Sequence, residues 1–124
     1  MTTAEIHTKL NECRAIVLEK IKMEYKKIVT LLKELELLLK KYGDNSIINS
    51  YRIVQNLIEM LNSDATESEK KNFFIRGYNQ LYPGKGGLSE FYVWDNDYEK
   101  RIEINAPFER IHDTLWEIVR EYDA

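Results

Sequence analysis

Between Thr3 and Tyr42 the chain contains neither glycine nor proline, and this uninterrupted stretch constrains the fold more than any other feature. Leu, Ile, Lys and Glu dominate it, all tolerable or good helix formers. From Ile21 the apolar residues fall at Tyr25, Ile28, Leu32, Leu35, Leu39 and Tyr42, alternating steps of four and three. That is the seam of a helix packed lengthwise against others. Upstream, Ile6, Leu10, Cys13, Val17 and Ile21 continue the stripe, but successive steps of four after Cys13 relax the repeat and mark a bend or a change of packing partner. Leu31, Leu37 and Leu38 widen the stripe in the second half, which is therefore expected to be the more buried. Gly43 ends the helix, with Lys40 and Lys41 near its negative end.

The remaining segments are also helical. Asp44 or Ser46 can cap a second helix carrying Ile47, Tyr51, Val54, Ile58 and Leu61, with Ile48 and Leu57 beside them, and ending near Asn62. Thr66-Glu67-Ser68-Glu69 reads as a capping box for a third helix that runs to Leu81 and buries Phe74, Tyr78 and Leu81. Residues 82–87, Tyr-Pro-Gly-Lys-Gly-Gly, break the chain into a loop. Residues 88–94 are ambiguous: Ser89 can cap a helical turn, yet residues 91–94 are strand formers. A short helix is favoured, because a lone strand has no evident partner. Asn105-Ala106-Pro107 predicts the start of the last helix, with Asn105 as cap and Pro107 in the first turn. Phe108, Ile111, Leu115, Ile118 or Val119, and Tyr122 form its inner face.

These elements predict an all-α fold: one domain over residues 1–124, an antiparallel bundle of about four helices with a long N-terminal helix. A Gly/Pro-rich loop precedes an irregular or short-helical aromatic segment. Length strains a purely monomeric version. About 39 helical residues span roughly 58 Å, whereas a compact chain of this size is roughly 35 Å across. The first helix either breaks near Val17–Ile21 or projects its N-terminal third onto another molecule. The absence of a breaker favours projection, with Ile6, Leu10, Cys13 and Val17 as the self-association stripe of a homodimer. Such a dimer is expected to be broken by Leu10→Asp or Val17→Asp without unfolding, and a strict monomer at every concentration in light scattering would contradict it.

Charge is distributed unevenly. Residues 1–42 hold nine Lys/Arg and six Glu, residues 43–85 five of each sign, and residues 86–124 four Lys/Arg against ten Asp/Glu. A net charge of −3 argues against general nucleic-acid binding, which needs a basic face. The acidic last third would instead attract a basic protein. No apolar run is long enough for a bilayer span, and the N-terminus lacks the pattern of a secretory leader. The lone Cys13 cannot form an internal disulfide framework, so a cytoplasmic location is expected.

Catalytic and metal-binding patterns are weak. The two histidines, His7 and His112, lie in the first and last helices, and no HExxH or paired CxxC is present. Cys13 reads as a stripe residue and His112 as a boundary residue beside Asp113. Gly84-Lys85-Gly86-Gly87 lacks the upstream glycine and following Ser/Thr of a phosphate loop. Asp95-Asn96-Asp97-Tyr98-Glu99 starts like a calcium loop, but Lys100 and Ala106 stand where Gly and Glu are required. It reads as an acidic turn, and the expectation is a non-enzymatic protein without metal or cofactor.

The sharpest functional signal is the aromatic run Phe91-Tyr92-Val93-Trp94 in the most acidic part of the chain. Buried, it fills the mouth of the bundle. Exposed, aromatic anchors rimmed by carboxylates describe a protein-binding surface, with Tyr92, Trp94 and Tyr98 as anchors and Asp95, Asp97 and Glu99 steering a basic partner. If the segment is extended, only one of the pairs Tyr92/Trp94 and Phe91/Val93 faces inward. Residues 86–94 (GGLSEFYVW), with Asn105-Ala106-Pro107-Phe108-Glu109-Arg110 and Asp113-Thr114-Leu115-Trp116, resemble a group of short bacterial proteins of unknown function. The resemblance covers roughly a third of the chain and none of the long helix. It implies a small stand-alone helical protein of bacterial origin, in a toxin-immunity or antitoxin-like setting, and carries no catalytic residues.

Overall fold

A computed structural model describes residues 25–122, and every regular element among them is helical. Helix α1 covers 25–42, α2 Ile48–Leu61, α3 Glu67–Leu81 and α4 Tyr98–Tyr122. Short 3-10 turns occupy Asn45–Ile47 and Gly87–Ser89.

The local start and stop signals act largely as the sequence predicts. The Gly43 N–H donates to the Leu39 carbonyl at 2.7 Å and closes α1. The Asp44 carboxylate accepts from the Ser46 N–H at 2.8 Å and caps the 3-10 turn that feeds α2. This bond and the Ser46 hydroxyl hold the Asp44 carboxyl below its usual range, the hydroxyl contributing most. Thr66 caps α3 by accepting from the Glu69 N–H at 3.2 Å.

Side-chain contacts establish the helix directions. Tyr25, at the beginning of the described part of α1, donates its hydroxyl to the Glu67 carbonyl at the start of α3 (3.0 Å). Tyr42, at the other end of α1, stands edge-on to Phe108 of α4 at 6.4 Å, while Phe74 of α3 meets Tyr122 at 6.3 Å. Thus α1 and α3 run one way, α2 and α4 the other. Between them lies one core in which Ile28, Leu32, Leu35, Val54, Leu57, Phe74, Ile111 and Leu115 are almost wholly buried. Gly77 lets α2 and α3 approach closely, since a Cβ there would lie 2.5 Å from a methyl of buried Leu57.

Two expectations are corrected. Leu37 does not widen the buried stripe: it is 68% exposed, while Leu31 is buried and Leu38 partly so. The other bundle helices cover only one side of α1, and position 37 lies beyond their reach. The last helix does not begin at Asn105. It starts at Tyr98, with Asp97 as the cap, whose carboxylate accepts from the N–H groups of Glu99 (3.0 Å) and Lys100 (3.3 Å). Pro107 therefore sits inside the helix. Its missing N–H deprives the Glu103 carbonyl of a partner, which is tolerable because Glu103 lies on the solvent face. At 25 residues α4 is roughly 37 Å long against roughly 22 Å for the 15-residue α3. The excess carries the loop and aromatic segment that follow α3.

Candidate functional site: the aromatic segment and the start of helix α4

The Pro83–Gly87 loop reverses the chain through positive φ at Gly86 (78°) and Gly87 (55°), where L side chains are disfavoured. After the Gly87–Ser89 turn, residues 91–95 are extended and belong to no regular element. The expected short helix is thus reduced to one 3-10 turn, and the extended residues pair with no strand. They are held by Asn105 instead. Its Oδ1 accepts from the Val93 N–H at 2.9 Å, and its Nδ2 donates to the Val93 carbonyl at 2.9 Å and the Arg101 carbonyl at 2.8 Å. A buried primary amide thereby satisfies both backbone groups of Val93, as a neighbouring strand would.

This clamp sets the direction of every side chain in the segment. Phe91 packs against the core, edge-on to Phe108 at 5.3 Å, and Val93 is half-buried. Tyr92 and Trp94 turn outward, 52% and 69% exposed. Tyr98, at the first position of α4, is 64% exposed, and Ile102 one turn later is also exposed. The guanidinium of Arg101 lies 4.1 Å from the Trp94 ring centre and 5.2 Å from that of Tyr98. The Trp94 indole N–H donates to Asn96 Oδ1 at 3.2 Å. Two large rings are thus organised around one cation.

The acidic residues lie in the same place. Asp95 accepts from the Asp97 N–H at 2.8 Å, forming an Asx turn that leads into the Asp97 cap. Asp97 and Glu99 are exposed, Asp95 half-buried. The six residues expected to meet a partner, Tyr92, Trp94, Asp95, Asp97, Tyr98 and Glu99, therefore fall on one continuous stretch around the start of α4. Ile102 and Arg101 join them. Both lie in the stretch that the sequence leaves outside the last helix, because the cap is Asp97, eight residues before Asn105. The self-association residues Ile6, Leu10, Cys13 and Val17, like His7, lie outside the described residues.

A second group of rings adjoins this surface. His112 Nε2 lies 3.2 Å from the Tyr78 hydroxyl, and its ring stacks on Tyr82 at 3.9 Å and 3°. Burial pushes the His112 imidazole below its usual value, with Asp113 partly opposing. Burial also pushes both tyrosine hydroxyls up, Tyr82 strongly. The ring is thus packed as a boundary residue, half-buried and stacked on Tyr82. Among the described residues no cluster of His, Cys, Asp and Glu could hold a metal ion, and no helix is long and apolar enough to cross a membrane. No family model, curated protein or solved structure matches the chain.

Proposed function

We propose that this chain is a non-catalytic protein-binding module of the toxin-immunity or antitoxin type, whose acidic aromatic face around Trp94 and Tyr98 occludes a basic protein. One observation carries the reading: Trp94 and Tyr98, large rings of the kind that dominate interface energetics, stand in solvent while the Arg101 guanidinium holds them in place. Organising anchors before binding lowers the entropy lost on association. Asp95, Asp97 and Glu99 adjoin the rings in sequence, and the last third of the chain carries ten acidic residues against four basic ones. That imbalance favours approach of a basic partner and makes association sensitive to salt.

The test uses the tagged full-length chain as bait, beside a Trp94→Ala/Tyr98→Ala double variant and a Gln55→Ala control on the exposed face of α2. A specific basic protein retained by wild type and control, released by salt and lost from the double variant is the expected result. Equal retention by all three chains would overturn the reading.

A further inference from the structure

We propose that the cleft between the 88–92 segment and α4, beside the exposed aromatic face, receives a basic side chain of the partner, arginine above all. This rests on the protein-binding reading and names what that surface recognises. The cleft has a volume of about 260 Å³, below the roughly 300–1,000 Å³ of sites for drug-sized ligands. It offers room for a side chain rather than a cofactor.

Its lining is suited to a guanidinium. Two ring pairs form the apolar part: Tyr82 stacked on His112 at 3.9 Å, and Phe91 edge-on to Phe108 at 5.3 Å. Ring faces are electronegative and attract cations, while the aliphatic stem of an arginine gains apolar contact. Two exposed carboxylates, Glu90 and Glu109, belong to the same cleft. A planar guanidinium with five donors can engage carboxylates while lying on a ring.

Charge distinguishes this cleft from two others in the molecule. In one, Lys26 and Lys70 accompany Glu67; in the other, Lys40 and Arg52 accompany Asp44. No lysine or arginine lines the cleft at Glu90 and Glu109. The neighbouring Arg110 is paired with Glu34 of α1, and burial disfavours a positive charge on His112. Tyr92 contributes to the cleft and to the exposed face alike, so a partner lying on Trp94 and Tyr98 can insert a side chain here.

The test is a ¹H–¹⁵N NMR titration of the full-length protein with N-acetyl-arginine methylamide, repeated with the neutral citrulline analogue. Saturable shifts at Glu90, Phe91, Glu109 and His112 are expected at millimolar arginine, with citrulline at least about tenfold weaker. A Glu90→Gln/Glu109→Gln variant should lose these shifts while the rest of its spectrum is unchanged. Absence of shifts, equal shifts with citrulline, or shifts that persist in the double variant would overturn the proposal. Failure here with a partner still lost from Trp94→Ala/Tyr98→Ala removes the cleft and leaves the protein-binding reading intact. Arginine binding without any partner lost from that variant supports the cleft and removes the broader reading.

Discussion

Asn105 shows how one side chain positions an exposed aromatic surface. Its amide replaces a β-strand partner for Val93, and through Val93 it directs Tyr92 and Trp94 outward. Replacing it with alanine leaves two backbone groups without their protein partner, at about 1–3 kcal/mol for each that stays buried. Asn105→Ala is therefore expected to lower stability by about 1–3 kcal/mol and to release residues 91–95. Faster amide exchange at Val93 and lower fluorescence anisotropy of Trp94 would record that release; unchanged exchange at Val93 would contradict the clamp. His112 provides a second prediction. Its folded pKa is depressed by burial, so the unfolded chain binds the proton more readily. Its contribution to stability is complete above the ordinary histidine value near 6.5 and is lost as pH falls through the lower folded value. Urea midpoints should decline from about pH 7 to pH 5 in wild type and decline less in His112→Gln; equal slopes would show that another group governs this range.

At the scale of elements, local chemistry was legible wherever a signal and its partner lie within one turn. Gly43 closes α1 and Thr66 opens α3, each through bonds to residues three or four positions away. The start of α4 was not legible for the opposite reason. Asn-Ala-Pro is a sound helix-start signal when judged locally, but the partner of Asn105 is Val93, twelve residues earlier. A tertiary hydrogen bond overrode the local preference, and Asp95 and Asp97, expected as a charged turn, supply the turn and the cap. The exposed anchors were legible as residue types, and the alternation along 91–94 limited their orientation to two choices. Which pair faces outward depends on the Asn105 clamp. Packing of α2 on α3 depends on Gly77, where the whole head of Leu57 occupies the space of a Cβ. Alanine gains about 1 kcal/mol of helix propensity, but overpacking a closed core costs about 1–3 kcal/mol. Gly77→Ala should therefore lower the urea midpoint, and a Gly77→Ala/Leu57→Ala pair should lose less stability than the two single changes summed.

At the scale of the whole molecule, the bundle holds an asymmetric charge distribution and an overhang. Helices α1 to α3 and the C-terminal half of α4 build the core, while the N-terminal half of α4 carries the aromatic face beyond it. Binding can thus be altered at Trp94 and Tyr98 without touching the residues that keep the protein folded. The most direct measurement of the protein-binding account is photo-crosslinking in cells, with p-benzoylphenylalanine replacing Tyr98 and, as a control, Gln55 on the exposed face of α2. One discrete adduct with a basic protein is expected at position 98, abolished by Trp94→Ala and absent at position 55. The same products at both positions, or an adduct at position 98 that survives Trp94→Ala, would contradict it.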